Sequence, residues 1–200
     1  MKVIHLQKNP RIYTCNSYLI LGDWNRIEDV NTIIDPGTDT HILAEIERVA
    51  TGCGKVAVEQ IILTHNHFDH AGAIIDLKKR FGAKVFAYVE TAGVDELLYN
   101  GAFLKVGDDY LEVLHAPGHS SDSVCLYCRS NQSLFSGDMQ LRVRTPGGVY
   151  TQEYLDSLLM LYGRPIQTVY SGHDEPLTAN IREILTETIR NVRKSAVTTG

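Results

Sequence analysis

The sequence lacks any long hydrophobic run. Residues 1–10 contain no apolar stretch of signal-peptide length, and no later segment approaches the roughly twenty apolar residues of a membrane-spanning helix. Linkers rich in proline and serine and segments of low complexity are also missing. Because 200 residues can bury a substantial core, we expect residues 1–200 to form a single cytoplasmic domain without a membrane partner.

Positive charge is not in excess either. Lysine and arginine together number 19 against 24 aspartate and glutamate residues, which gives a formal net charge of −5. A surface that binds nucleic acid needs a basic field. We therefore expect no nucleic-acid partner, and the composition disfavours a nuclease.

Cysteine is scarce and scattered, at positions 15, 53, 125 and 128. Cys125 and Cys128 have the spacing of a C-x-x-C pair, but they lie in a strand-like run in which residues i and i+3 face opposite sides. A redox turn is therefore not expected. We predict buried free thiols, which suit a reducing compartment.

Histidine and aspartate, in contrast, are concentrated in residues 65–70, with the sequence HNHFDH. In an extended segment the side chains at i and i+2 point the same way, so His65 and His67 can bind one ion while Asp69 and His70 turn toward a second. Imidazoles and a carboxylate suit zinc, iron(II) or manganese, and the lack of cysteine here argues against a zinc finger or an iron–sulfur cluster. The pattern indicates a catalytic metal site.

One turn cannot supply every ligand of two ions, so further ligands are expected downstream. Three candidates each follow a strand-like run and lie in a glycine-containing turn: His119, Asp138 and His173. Taken alone, each is typical of an exposed histidine or a turn-forming aspartate, but their order behind residues 65–70 favours metal binding. His5 and His41 lack this context, and we expect His115 to neighbour the site without being a ligand.

Ordered motifs extend over nearly the whole chain: NSYLI at 16–20, IDPG at 34–37, HNHFDH at 65–70, PGHS at 117–120, FSGD at 135–138 and SGH at 171–173. Together they resemble the metallo-β-lactamase superfamily, and specifically its small glyoxalase II-like hydrolases. By that resemblance, the first metal ion is held by His65, His67 and His119. The second is held by Asp69, His70 and His173, and Asp138 bridges both.

The resemblance implies a hydroxyacylglutathione hydrolase-like enzyme with two divalent metal ions. Zinc is favoured, and iron and manganese are the alternatives. In such a site a metal-bridging hydroxide attacks an acyl carbon, and the ions polarise the substrate oxygen. Asp69 would orient the hydroxide and collect its proton. Asp35 is a plausible hydrogen-bond acceptor behind a ligand histidine, and it equally suits a strand-ending turn.

The expected substrate is a small molecule with an acyl bond: a thioester, or another small ester or lactone. Arg142 and Arg144 would recognise a carboxylate or phosphate and Tyr150 would cap an oxyanion, although such loop residues are commonly ordinary surface groups. The alternatives are a persulfide dioxygenase-like oxidoreductase with one iron, a β-lactamase, a phosphodiesterase or nuclease, and a noncatalytic binding module. The sequence leaves open the physiological substrate, including a glutathione thioester, and the oligomeric state.

Strand-like and helix-like segments alternate along the chain. Strands are predicted at 3–6, 17–21, 32–35, 60–63, 85–88, 110–115, 123–127, 133–135 and 168–171. Helices are predicted from a cap at Thr38 or Asp39 to near Gly52, then through 74–81, 152–161 and 179–194, and residues 90–109 are predicted as a loop or short helix. Periodicity alone also allows a doubly wound sheet. The resemblance implies an α/β four-layer αββα sandwich, with two mixed β-sheets face to face and helices outside.

Overall fold

The computed structural model describes residues 1–199, in which strands and helices alternate. The first sheet has six strands, adjacent in chain order: β1 (Lys2–His5), β2 (Tyr18–Leu21), β3 (Thr32–Ile34), β4 (Gln60–Ile62), β5 (Lys84–Ala87) and β6 (Glu96–Leu97). Strands β1 to β3 pair antiparallel, and β3 to β6 pair parallel. This sheet is therefore mixed.

The remaining strands follow in chain order: β7 (Phe103–Val106), β8 (Asp109–His115), β9 (Val124–Cys128), β10 (Ser133–Gly137), β11 (Val149–Thr151), β12 (Thr168–Ser171) and β13 (Ala196–Thr198). The second sheet has the order β12-β10-β9-β8-β7, in which only the pairing of β10 with β12 is parallel. Strands β11 and β13 form a separate parallel pair.

Five helices accompany the sheets: α1 (His41–Glu47), α2 (Phe68–Ala71), α3 (Ile74–Phe81), α4 (Gln152–Tyr162) and α5 (Ile181–Arg193). Within residues 1–199, every helix is too short or too polar to cross a membrane. Helices α1 and α3 contribute to one hydrophobic cluster with the first sheet, and α4 and α5 contribute to another with the second sheet.

Each sheet buries both of its faces. In β2, Leu19 packs into the cluster that contains Leu77 of α3, whereas the adjacent Tyr18 packs into a cluster shared with Phe135 of β10. Successive side chains of a strand point to opposite faces, so β2 lies between a helix layer and the second sheet.

Strand β9 shows the same alternation from the other side. Tyr127 packs with Leu158 of α4 and Leu185 of α5, whereas Leu126 faces the cluster between the two sheets. The layers are therefore helix, sheet, sheet and helix. The predicted αββα sandwich is confirmed.

The region 90–109 differs from its prediction. It forms β6 and β7, the edge strands of the two sheets, rather than a loop or short helix. Both strands are short, β6 is exposed and only Val106 of β7 is buried, so their side chains carry little hydrophobic alternation from which a strand could be read.

Helix α1 is shorter than predicted, since it covers only residues 41–47. Its N-cap is Thr40, which makes no side-chain capping bond, while Asp39 Oδ1 accepts a hydrogen bond from His41 N at 3.3 Å. The apolar residues that suggested a longer helix include Val49, which packs against the same cluster from beyond the helix end.

The cysteine prediction holds for three of the four thiols. Cys15, Cys125 and Cys128 are buried and free, and Cys125 and Cys128 face different hydrophobic clusters, as expected for opposite sides of a strand. The prediction of burial is wrong for Cys53, which is exposed in the segment between α1 and β4.

Candidate metal centre

Residues 65–70 leave the first sheet after β4 and turn into α2. His67 has extended backbone dihedrals (φ −71°, ψ 150°), and the helix begins at the next residue, Phe68. This change of backbone turns Asp69 and His70 inward, where they are 4% and 0% exposed, while Phe68 remains 66% exposed.

One group of ligand-type side chains consists of His65, His67 and His119. His67 Nδ1 lies 3.1 Å from His65 Nε2 and 3.0 Å from His119 Nε2. Nitrogen atoms that bind one tetrahedral zinc ion lie roughly 3.3 Å apart, as follows from zinc–nitrogen distances of about 2.0–2.1 Å. The spacing of the three imidazoles fits a common metal ion.

A second group consists of Asp69, His70, Asp138 and His173. His173 Nε2 lies 3.1 Å from Asp69 Oδ2 and 3.3 Å from Asp138 Oδ2. His70 Nε2 lies 3.2 Å from Asp138 Oδ1 and 3.8 Å from Asp69 Oδ2. The structure thus brings together all seven residues that the sequence motifs singled out.

Asp138 lies between the two groups. Besides its contacts with His70 and His173, its Oδ2 atom is 3.5 Å from His119 Nε2 and 4.0 Å from His65 Nε2. Gly137, in the left-handed region at φ 51°, turns the chain at the end of β10 and leads directly into Asp138. A single carboxylate therefore faces both groups.

Asp35 supports the site from behind. Its Oδ1 accepts a hydrogen bond from Thr64 N at 2.8 Å, and its Oδ2 accepts from Thr64 Oγ1 at 2.7 Å and from His70 Nδ1 at 2.9 Å. An acceptor-only carboxylate holds the proton of the imidazole on Nδ1, which leaves Nε2 of His70 to face Asp69 and Asp138.

Burial and neighbouring charges set the protonation of these groups. Burial, assisted by nearby His70, lowers the pKa of His65 to about 4, and burial also lowers the pKa of His119. Burial favours the protonated form of Asp138, but the neighbouring His70 and His173 outweigh it and lower the pKa to about 2. Burial disfavours the charged form of His70, but Asp35 and Asp138 outweigh it and raise the pKa of His70. Neutral imidazoles and an ionised carboxylate are the forms that bind metal ions, so His70 releases a proton when an ion binds.

The residues present fit divalent metal ions. Among the described residues, His70 Nε2 and Asp138 Oδ1 are buried without any hydrogen-bond partner, although they lie only 3.2 Å apart. Buried polar atoms are seldom left unpaired. A cation in the second group would satisfy both atoms, and imidazole with carboxylate is a donor set that suits zinc, iron and manganese.

A cavity of about 660 Å³ opens beside the two groups. Its lining includes His119, Asp138 and His173 together with Arg142 and Arg144. Its wall also contains acidic and apolar side chains: Asp174, Glu175, Met139, Leu141, Leu177 and Ile184. The two arginines predicted from the sequence therefore line the same cavity as three of the ligand-type residues.

Tyr150 does not line this cavity. It lies in β11, and its ring stacks on Tyr154 with a centroid distance of 5.4 Å. His115 is likewise outside both ligand groups, since its ring stacks on Tyr88 at 4.2 Å and its Nε2 contacts Ser121 O at 2.9 Å.

A phenol that the sequence did not identify lies beside the centre. Tyr13 Oη lies 3.4 Å from His173 Nε2, and its ring stacks on that histidine at 5.2 Å between centroids. Partial desolvation and the carboxylates of Asp69 and Asp138 raise the pKa of Tyr13. Tyr13 precedes the motif at 16–20, but no periodicity or ligand spacing marks it as a site residue.

Gly172 permits the close approach of two ligand residues. A Cβ atom at this position would lie 2.2 Å from Asp138 Oδ1 and 2.8 Å from His70 Cε1. We expect Gly172→Ala to displace these side chains and to weaken metal binding about 10-fold, the lower end of the effect of losing an orienting contact. Competition with a chromophoric chelator measures this affinity.

Gly163→Ala is the matched control for Gly172→Ala. The Cβ atom added at the end of α4 would approach nothing closer than Met160 O at 3.5 Å, an ordinary contact. The control should keep the metal affinity of the unaltered protein. Equal affinities for the two variants would contradict the steric role given to Gly172.

Residues 11–96 and 92–173 match the family model of the metallo-beta-lactamase superfamily, and these segments contain all seven residues of the two groups. The chain therefore belongs to the metallo-β-lactamase superfamily. The family predicted from the sequence motifs is confirmed.

Within the superfamily, the chain is similar to proteins named hydroxyacylglutathione hydrolase. It is 31% identical to one from Bradyrhizobium sp. (strain BTAi1 / ATCC BAA-1182) over 188 residues, which cover 88% of this chain and 70% of the relative. It is 28% identical to a probable one from Schizosaccharomyces pombe over 165 residues, 79% of this chain. The chain spans only 63% of the length of this second relative.

A solved structure supports the fold. The metallo-beta-lactamase family protein TTHA1429 from Thermus thermophilus superimposes with a TM-score of 0.71 at 20% sequence identity. The superposition covers 96% of this chain and 79% of that protein. At this identity the likeness concerns the fold alone.

Proposed function

We propose that the protein is a dinuclear metal-dependent hydrolase that cleaves small thioesters. The observation that carries the proposal is the position of Asp138, which is 3.5 Å from His119 Nε2 in one group and 3.3 Å from His173 Nε2 in the other. A carboxylate shared in this way holds two cations close together. In this proposal His65, His67 and His119 bind one ion, Asp69, His70 and His173 bind the other, and Asp138 binds both.

When bound, two divalent ions would lower the pKa of a bound water molecule and would polarise the acyl oxygen of a substrate. Asp69, whose carboxylate is buried at 4% exposure beside His173, would orient this water and take up its proton. The imidazoles bind without adding negative charge. Positive charge therefore remains in the site to stabilise the charge that develops on the acyl oxygen.

The substrate class follows from the site and from the relatives. Both relatives described above are named for hydrolysis of hydroxyacylglutathione, so a hydroxyacyl thioester of glutathione is the first substrate to test. The cavity volume of about 660 Å³ is in the range of pockets for small molecules, which is roughly 300–1,000 Å³. We favour zinc as the metal, with iron and manganese as the alternatives.

Arg142 and Arg144 are proposed to bind an anionic part of the substrate. Both line the cavity, and guanidinium groups pair well with carboxylates. We expect the double variant Arg142→Ala and Arg144→Ala to raise KM about 10-fold for thioesters with a carboxylate, through loss of a charge-assisted contact, and to leave KM for neutral thioesters unchanged.

Arg193→Ala provides the matched control for the arginine pair, because Arg193 is exposed at the end of α5 and does not line the cavity. Steady-state kinetics with paired anionic and neutral thioesters make the comparison. An equal rise in KM for both thioesters in the double variant would show that the two arginines do not recognise charge.

Elemental analysis of the purified protein, joined to a panel of substrates, tests the function itself. The panel contains a hydroxyacyl glutathione thioester, a lactone, a β-lactam and a phosphodiester. We expect two metal ions per chain and fastest cleavage of the thioester. One iron per chain with sulfur-dependent oxygen uptake would replace the proposal by a persulfide dioxygenase-like activity, and full metal loading without any turnover would indicate a binding module.

A further inference from the structure

Tyr13 is an exposed residue whose hydroxyl group reaches the second ligand group. Its side chain is 64% exposed, yet Oη lies 3.4 Å from His173 Nε2, the atom that faces Asp69 and Asp138. The ring is nearly parallel to the His173 ring, with an interplanar angle of 18°, and its centroid is 6.3 Å from that of Phe68. The phenol thus flanks the second ligand group from an exposed position, outside the lining of the cavity that contains Arg142 and Arg144.

The backbone that follows Tyr13 is fixed to the ligand loops. Cys15 N donates a hydrogen bond to Asp69 O at 3.1 Å, and Asn16 N donates to Gly172 O at 2.6 Å. The segment after Tyr13 therefore joins the loop that carries Asp69 to the loop that carries His173. Such contacts hold a side chain in place more firmly than an unsupported surface loop does.

Thr38 adds two further hydrogen bonds to this segment. Its hydroxyl group donates to Tyr13 O at 2.7 Å, and its backbone N–H donates to Thr14 Oγ1 at 3.0 Å. Tyr13 is consequently held by hydrogen bonds at its own carbonyl group and at the residues that follow it. Its nearness to His173 follows from this support and from the stacking of the two rings.

The two ligand groups differ in charge. The first contains three imidazoles and shares only Asp138, whereas the second contains Asp69 in addition to Asp138. Carboxylates offset the charge of a bound cation and neutral imidazoles do not, so the first group retains more positive charge. With both groups occupied, the acyl oxygen, where negative charge develops first, would be drawn toward the first group, and the departing group would face the second.

We infer that the Tyr13 hydroxyl donates a hydrogen bond to the sulfur or oxygen atom that leaves the acyl carbon, which makes Tyr13 a catalytic residue of the proposed hydrolase. This inference rests on the proposed function. The oxygen of water forms the new bond to the acyl carbon, and the carbon–sulfur bond breaks with its electron pair on sulfur. One proton of the water ends on the departing thiol, and the other leaves with ionisation of the carboxylic acid product. Tyr13 keeps its own proton and stabilises the sulfur by donation.

The variant Tyr13→Phe removes only the hydroxyl group. We expect kcat to fall about 10-fold for an alkyl thioester, whose leaving group is strongly basic, and to change less than about 2-fold for the phenyl thioester of the same acyl group. Metal content should be unaltered. Tyr110→Phe is the matched control, because Tyr110 is an exposed tyrosine in β8 outside both ligand groups.

Binding of the separate products gives a readout that needs no turnover. Isothermal titration of the metal-loaded protein should show that Tyr13→Phe weakens binding of an alkyl thiol several-fold and leaves binding of acetate unchanged. Equal loss of kcat for both leaving groups, weaker binding of acetate instead of thiol, or no effect of the substitution would overturn the inference. If the unaltered protein hydrolyses no thioester, the proposed function fails, and the thiol titration still tests the position of Tyr13 separately.

Discussion

Asp138→Ala is expected to abolish hydrolysis and to leave the protein with fewer than two metal ions per chain. Among the described residues, Asp138 is the only one whose carboxylate oxygens lie within 4.0 Å of histidine nitrogens in both ligand groups. No neighbouring residue can therefore replace it. Loss of a group that merely orients a ligand costs about 10- to 100-fold in affinity. We therefore expect loss of a shared ligand to exceed about 100-fold. Elemental analysis after dialysis and initial rates with a thioester measure the two effects.

Two further variants separate loss of charge from loss of structure. Asp138→Asn keeps the shape of the side chain and removes its charge, and we expect it to lose metal as Asp138→Ala does. Asp156→Asn is the matched control, since Asp156 is an exposed residue of α4 that accepts a hydrogen bond from Gln152. Circular dichroism should be the same for all three variants. If Asp138→Asn still binds two metal ions firmly, the charge of a shared carboxylate is not needed, and this part of the proposal is wrong.

The metal-ligand candidates could be predicted from the sequence because their chemistry is concentrated in a few turns. Residues 65–70 place four ligand-type side chains in one segment, and the distant candidates each follow a strand that ends at the same site. Backbone hydrogen bonding fixes where such turns lie. The metal-binding role of such a motif can therefore be predicted without knowing how the side chains of the core pack. Val124 N, for example, donates to Thr64 O at 2.8 Å and links the two sheets beside the ligand loops.

Contacts that depend on packing could not be predicted in the same way. Tyr150 and Tyr13 carry the same phenol, but Tyr150 stacks on Tyr154 whereas Tyr13 stacks on His173. Which of them approaches the centre depends on hydrogen bonds from Thr38 and Asn16, residues that are distant from His173 in sequence. The short edge strands β6 and β7 escaped detection for a related reason, because pairing with a neighbouring strand defines them more than their own residues do.

Asp35→Asn is expected to weaken binding of the ion in the second group about 10- to 100-fold while the first group keeps its affinity. Asp35 Oδ2 accepts the Nδ1–H of His70 at 2.9 Å, which leaves Nε2 as the nitrogen that can bind the ion. An amide nitrogen in place of Oδ2 would donate to Nδ1 and move the proton to Nε2, where it blocks metal binding. Asparagine tolerates the left-handed backbone of this position, φ 53°, so the turn itself should be preserved. Competition with a chromophoric chelator, continued until both ions are removed, measures the affinity of each ion.

The amide could also turn the other way, and the structure shows what that costs. With its oxygen toward His70, the amide nitrogen faces Thr64 N, a buried donor that now loses the acceptor it has at 2.8 Å from Asp35 Oδ1. A buried donor left unpaired costs about 1–3 kcal/mol, so this orientation lowers the free energy of unfolding instead of the metal affinity. Asp29→Asn is the matched control, because Asp29 is a buried acceptor for Arg26 N and belongs to neither ligand group. Asparagine has no orientation that satisfies both His70 and Thr64, because Asp35 makes three hydrogen bonds to them. An Asp35→Asn variant that keeps both its metal affinity and its stability would therefore contradict the role of Asp35.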